Sequence, residues 1–267
     1  MAEKETKNKP KDLIEVTPEE LEKLEKDPEI AKELEIIAPP QKRERFSRDR
    51  FEKKDISSWI PKTELGRKVK LGKEKDLDKI LKFGKRILEP EIVDSLLSLD
   101  TDLLLIGQAK GKFGGGKRRA WRQTQKKTKE GNVVTFSSMA VVGDRNGHIG
   151  VGYGKSKETL PAREKALRQA KLNLIKITRG FETPEGSKDD PHTVPFKVQG
   201  KCGSIRITFL PAPRGTGLVT GDECKKILRL AGIKDIYSRT SGHVRTTFNL
   251  AKACIDALSK TNAMEEK

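Results

Sequence analysis

The chain has 267 residues, a formal net charge of +17, 34% hydrophobic residues and 36% charged residues. That apolar supply is lean for one large globule and suits two small domains with a charged tail. Three scattered cysteines, Cys202, Cys224 and Cys254, argue against a disulfide scaffold and for a reducing, cytoplasmic setting, and neither Cys nor His has zinc-ligand spacing.

The charge is uneven. Residues 1–40 hold 12 acids and 7 bases, a balance of −5 that leaves +22 for the rest. So basic a body repels itself in water, and a polyanion relieves the repulsion. A merely solubilising surface would mix its charges, whereas here the basic residues cluster.

The opening MAEKETKNKPK lacks the apolar stretch of a signal peptide. Residues 1–57 are charged, poor in aromatics and interrupted by Pro39-Pro40, so they read as a largely disordered extension. One short helix is expected within it, capped by Thr17, with Pro18 at its first position and Glu20 completing a capping box. From 58 to 100, Trp59, Ile60, Leu65 and Val69 supply apolar anchors. Leu77, Ile80 and Leu81, then Ile92, Val93, Leu96 and Leu97 behind Pro90, predict two short helices.

Residues 101–178 read as strand, loop, strand, strand, helix. Leu103–Ile106, the longest aliphatic run and too short to span a membrane, is the first strand. Val133–Val142 is the second, with Val134, Phe136, Ala140 and Val142 at period two, and Gly143–Gly147 closes a hairpin onto His148–Gly154. There Gly150, Gly152 and Gly154 alternate with Val151 and Tyr153. A glycine face weakens a strand, so close approach of another backbone is expected. The helix is predicted from Thr159 to Ile177, with Leu160, Leu167, Ala170, Leu174 and Ile177 as its stripe.

A linker over 179–193 leads to an α/β unit, 191–262 with its start. Val194, Phe196 and Val198 alternate, as do Ile205, Ile207 and Phe209, joined by a bend at Gln199–Gly203. A loop from Pro211 to Gly217, a helix over Asp222–Leu230 stopped by Gly232, a short strand over Asp235–Ser238 and a helix over Thr246–Lys260 complete it. The last helix is expected to bury Phe248, Ala251, Ile255 and Leu258.

The chemistry points to RNA. Lys110 to Lys129 holds nine Lys or Arg and no acid, with four glycines. Read as a long loop between two strands, it offers Lys110, Lys112, Lys117, Arg118, Arg119, Arg122, Lys126 and Lys127 to phosphates and Trp121 to bases. Gly111-x-x-x-x-Gly116-Lys117 approaches a nucleotide phosphate-binding loop, but Arg118 stands where that motif needs Ser or Thr. Lys155 and Lys157 flank a helix start, where any phosphate is favoured, although the preceding glycines also serve strand–helix packing. Arg214 sits among glycines in a proline-stiffened loop, and Arg239 and Arg245 share the loop Ser238–Asn249 with hydroxyls that also suit capping. The histidines His148, His192 and His243 have no nucleophile or metal signature beside them, so no catalytic residue, metal or cofactor is expected.

The segments VVGDRNGHIGVGYGKSKE (Val141–Glu158), AKLNLIKITRG (Ala170–Gly180), PHTVPFKVQGKCGSIRITFLPAPRGTGLV (Pro191–Val219), AGIKDIYSRTSG (Ala231–Gly242) and AKACIDALSKT (Ala251–Thr261) occur in this order. Together they resemble the universal small-subunit ribosomal protein family called S-five in bacteria. WIPKTELGR (Trp59–Arg67) and ILEPEIVD (Ile87–Asp94) are similar to its archaeal and eukaryotic members. The resemblance implies an α+β fold: a double-stranded-RNA-binding-like domain of three strands and a helix, then the family's C-terminal α/β domain. It implies binding to small-subunit rRNA near the decoding region and where mRNA enters, beside proteins of the S-four and S-eight types. Roles in assembly and decoding accuracy follow, with no enzyme activity. The family's first inter-strand loop inserts into rRNA, and here that loop is Lys110–Lys129, longer and richer in Gly and Lys than the usual GGRR-like turn. A free-standing double-stranded-RNA-binding maturation or regulatory factor is the alternative, and an NTP-dependent enzyme is disfavoured by Arg118.

Overall fold

A computed structural model of the chain describes residues 59–108, 118–181 and 191–264. The extension over 1–57, with its expected Thr17-capped helix, lies outside the described residues, as do Lys110, Lys112 and Lys117 and the phosphate-loop-like glycines. The described residues belong to one compact unit, Asp55–Lys267.

The glycine strand organises the first half. Strands β1 (Asp100–Leu103), β2 (Trp121–Thr128), β3 (Gly131–Gly143), β4 (His148–Ser156) and β5 (Leu174–Lys176) form one sheet in the order β1-β3-β4-β5, with β2 also on β3. Helix α4 (Thr159–Leu172) crosses it through Ala162, Ala166 and Ala170, all buried. A Cβ on Gly150, Gly152 or Gly154 would come within 2.2, 2.1 and 2.1 Å of the Ala170, Ala166 and Ala162 carbonyl oxygens. No side chain fits there, so the glycine face allows the backbone-to-backbone contact that its alternation predicts.

Three expectations for this half need correction. The first strand is Asp100–Leu103, paired with Gly143 to Ala140, not Leu103–Ile106. Leu104 still donates its N–H to the Met139 carbonyl, but the chain then turns, with Ile106 N bonding Leu104 O and Gly107 N bonding Arg119 O. The apolar run therefore reports burial rather than pairing. The basic segment is no plain loop, because its second part is strand β2, paired with β3 from Trp121↔Ser138 to Thr128↔Gly131. Finally, α4 ends at Leu172, and Leu174 and Ile177 are buried from β5 and just beyond it, while Leu160 is 61% exposed. Asn173 leaves helical geometry, with ψ at 35°, and the chain returns to pair with β4.

The second half is a sheet in the order β6-β7-β9-β8: β6 (Val198–Cys202), β7 (Ile205–Leu210), β9 (Ile236–Ser241) and β8 (Leu218–Val219). Helices α5 (Asp222–Ala231) and α6 (Thr247–Ser259) cover one face, through Ile227 and Leu228 and through Ala253 and Ala257. Gly232 stops α5 as predicted, with φ at 81° and its N–H on the Arg229 and Leu228 carbonyls. The bend expected at Gln199–Gly203 is mostly strand, and the turn lies at Gly203-Ser204, where Gly203 has φ at 62°. Gly200 serves packing instead, since a Cβ there would lie 2.1 Å from the Ala253 oxygen. Val194 and Phe196 precede the sheet, and β9 extends past Ser238 to Ser241. On α6, Ala251 and Leu258 are buried as expected, but Phe248 and Ile255 are only half-buried.

One core joins the two sheets. Leu104, Met139, Val141 and Ile149 from the first pack with Ile207, Phe209, Ile227 and Leu258 from the second. Against this body lie α1 (Glu64–Lys70), α2 (Leu77–Lys82) and α3 (Pro90–Leu96). The last two match the predicted helices, and α1 is an addition, capped by Thr63, which accepts from Gly66 N at 3.1 Å. Buried Glu89 staples α3 to α1, accepting from Trp59 Nε1, Lys62 N and Thr63 N. Burial would raise its carboxyl pKa, but these donors outweigh that and hold it below the usual range. Glu89→Ala is expected to cost about 2–3 kcal/mol, read as a lower urea midpoint, by orphaning the two N–H groups and the indole.

Candidate nucleic-acid interface

The β2–β3 hairpin outgrows its sheet. β4 joins β3 only from the pair Phe136↔Ser156 onward, so Thr124–Thr128 and Gly131–Thr135 continue alone as a two-stranded ribbon. At the rise of a strand this is roughly 17 Å of projection. Threonines and aromatics make it a strand despite its charge. The Thr124 and Thr135 hydroxyls meet at 2.8 Å, and Trp121 and Phe136 stack edge-on at 5.4 Å. At its base the Arg119 guanidinium lies 5.0 Å from the Trp121 ring centroid. Gly107 lets the backbones close in there, since a Cβ would sit 2.3 Å from the Trp121 oxygen.

The pairing sorts the predicted cations. Arg122 faces Ser137, and Ser137 faces Lys155, so these three form a row across β2, β3 and β4. With strands about 4.8 Å apart, the row spans roughly 10 Å. Lys126 shares the Arg122 side and Lys127 the Trp121 side, by strand alternation. Arg118, Arg119, Arg122, Lys126, Lys127, Lys155 and Lys157 are exposed, and Trp121 is half-buried. Nothing acidic lies between Arg118 and Lys129. The residues of the second half stand apart from this sheet. Arg214 is exposed in the loop before β8, and Arg245 is exposed just before α6. Arg239 is exposed on β9, not in a loop, opposite Thr208.

Two features escaped the sequence reading. Tyr153 of β4 meets Phe248 of α6 edge-on at 5.0 Å, and the Lys252 ammonium lies 4.5 Å from the Phe248 ring centroid. No spacing signal links residues so far apart in sequence. The other is a charged clamp at the hairpin turn. His148 bonds Asp144 through Nδ1 at 2.6 Å and Asp78 of α2 through Nε2 at 2.7 Å, and Lys176 of β5 bonds Asp78 at 2.8 Å. Asp144 also accepts the Asn146 and His148 N–H groups. Burial works against charge on His148, but the two carboxylates outweigh it and raise its pKa. Burial likewise opposes ionisation of Asp144 and Asp78, and their donors hold both below the usual carboxylate range. Asp144 closes the turn, as expected of an Asp there, and also anchors the ring.

Among the described residues no group of three or more His, Cys, Asp and Glu gathers as metal ligands, and no helix is long and apolar enough to cross a membrane.

The family model for the ribosomal protein S5 N-terminal domain matches residues 120–178, and that for the C-terminal domain matches 200–267. Small ribosomal subunit protein uS5 of Nanoarchaeum equitans is 47% identical over 207 residues, 77% of this chain and 89% of the relative. The chain belongs to the uS5 family. Other members are similarly near: uS5 of Methanocaldococcus jannaschii is 45% identical over 78% of this chain and 89% of its own length. That of Pyrobaculum aerophilum is 45% identical over 78% and 88%. The uS5 N-terminal match begins at β2, so the ribbon and strands β2 to β5 fall within it, and β1 lies ahead of it. The helices α1 to α3 lie ahead of both matches. The mixed fold, a double-stranded-RNA-binding-like half followed by the uS5 C-terminal half, is as the residues implied.

Proposed function

We propose that this chain is a structural constituent of the small ribosomal subunit that binds rRNA and supports subunit assembly, the side where mRNA enters, and decoding accuracy. Its partners on this reading are small-subunit rRNA, neighbouring proteins of the S-four and S-eight types, and mRNA. It assigns no catalytic step and a cytoplasmic location. Residues 58–100, 101–178 and 191–262 are its working subdivisions, behind the extension 1–57.

The observation that carries the reading is the β2–β3 hairpin: its first strand carries no acid from Arg118 to Lys129, Glu130 lies in its turn, and at its base Arg122 stands in one cross-strand row with Lys155 of β4. A rigid strand pair holds cations at fixed spacing, as a phosphate backbone requires, and each phosphate so neutralised releases counterions. Exchanging Arg118, Arg119, Arg122 and Lys126 for Gln is expected to weaken binding to a small-subunit rRNA fragment. The slope of log affinity against log salt should become shallower by about 0.7–0.9 for each phosphate that the variant no longer neutralises. An unchanged slope would remove the ribbon from the interface. Co-sedimentation tests the assembly: the protein should stay with small subunits through a high-salt wash, whereas full release at moderate salt would indicate a transient RNA-binding factor.

A further inference from the structure

The second sheet has a face that neither helix covers. Strand alternation and register place Gln199, Lys201, Arg206, Thr208, Leu210, Val219, Tyr237, Arg239 and Ser241 on it, opposite the buried Val198, Ile205, Ile207, Phe209 and Ile236. The four strands contain no carboxylate. Their cations are Lys201, Arg206 and Arg239, all exposed, and among the described residues no ion pair reaches any of the three. Beside them lies an apolar row: Leu210 pairs with Tyr237, and Tyr237 with Val219, at 36%, 40% and 48% exposure.

We propose that this face is a second RNA-binding surface, specific for unpaired nucleotides, in which Tyr237 stacks a base while Lys201, Arg206 and Arg239 hold the adjoining phosphates. The proposal rests on the RNA-binding reading above and adds Lys201, Arg206 and Tyr237 to it. Two observations choose the occupant. Three cations outside any ion pair ask for a polyanion, since the one carboxylate that touches them, Asp256, accepts the Lys201 backbone N–H and is paired with Lys260. An exposed apolar row with an aromatic at its centre asks for flat apolar surface, which a duplex keeps inside its stack and a single strand exposes. A sheet is well suited to this task, since alternation sends every second side chain to the ligand and locks the others in the core. The ribbon differs: it projects cations, and the indole at its base, Trp121, is already engaged with Phe136 and Arg119.

The test uses the full chain and two probes, a labelled oligouridylate and an RNA hairpin of equal charge. Tyr237→Ala is expected to weaken oligouridylate binding about tenfold and leave the hairpin unchanged, while Tyr237→Phe retains binding. Replacing Lys201, Arg206 and Arg239 together by Gln should also weaken the single strand about tenfold and make its salt slope shallower. The ribbon variant should show the converse preference, losing the hairpin first. Unchanged oligouridylate binding in both face variants overturns the proposal, and so does an equal loss on both probes. It is also overturned if Tyr237→Ala binds both RNAs normally yet no longer stays with small subunits, because the face then serves a protein. If the unaltered chain binds neither probe, the RNA-binding reading falls with it. If only the ribbon variant loses affinity, the reading stands and this face drops out.

Discussion

Gly152→Val is expected to leave the protein unfolded or insoluble. A Cβ at Gly152 would lie 2.1 Å from both the Ala166 oxygen and the Ala170 nitrogen. Both neighbours are helix backbone, which cannot swing aside as a side chain does. Overpacking of a core typically costs about 1–3 kcal/mol and more when nothing yields, against a total stability of about 5–15 kcal/mol. With helix backbone as both neighbours the loss should reach that total, seen as absence of a cooperative thermal transition. Gly221→Ala is the control: nothing lies within 4 Å of its Cβ position, so its melting temperature should hardly move.

The second large effect is expected at His148. Its raised pKa means that the folded state binds the imidazole proton more tightly than the unfolded chain does. The clamp's contribution is therefore complete below the unfolded value of about 6.5 and is lost as pH rises through the higher folded value. Asp78 and Asp144 act in the opposite sense: their depressed pKa values give stability that is present above about pH 3.9 and is lost as acid protonates them. The clamp should thus contribute most between about pH 4 and 6.5. His148→Gln should abolish its alkaline decline. His148→Ala should cost about 2–3 kcal/mol by stripping the buried Asp144 carboxylate of its side-chain donor. Urea midpoints measured against pH check both, and an alkaline limb that survives in His148→Gln would assign it to other groups. Because Asp78 belongs to α2, the first region to gain amide exchange should be the helices ahead of the sheet.

How much of this was legible in the residues varies with the kind of signal. The glycine face, the Gly232 stop and the Pro90 helix start are local, because each depends on what one position can adopt or must avoid. They are read correctly from composition and spacing alone. β2 is different. Its cations and glutamines hide a strand that exists because β3 is long enough to pair with it, and its threonines and Trp121 carry the period only faintly. Leu160, Leu174 and Ile177 fit a helical stripe by spacing, yet the helix buries Leu167 and, against the glycine strand, alanines, because the close backbone approach there leaves room for nothing larger. The candidate site shows the same division. Lysine and arginine clustering names the region, but the row through Arg122, Ser137 and Lys155 is created by register. Arg206 sits in plain alternation with Ile205 and Ile207, a pattern in which the buried side carries the signal and the exposed side carries none.

The shared core has a consequence for synthesis. Met139, Val141 and Ile149 have their partners on α5 and α6, which are translated roughly 100 residues later. At about 5–20 residues per second, that surface stays wet for roughly 5–20 s on every nascent chain. The first sheet can form its pairing and seat α4 in that interval, but one of its faces remains sticky until the carboxyl-terminal helices arrive. A chain that stalls before α5 should therefore be a substrate for chaperones and proteases rather than a functional half-protein.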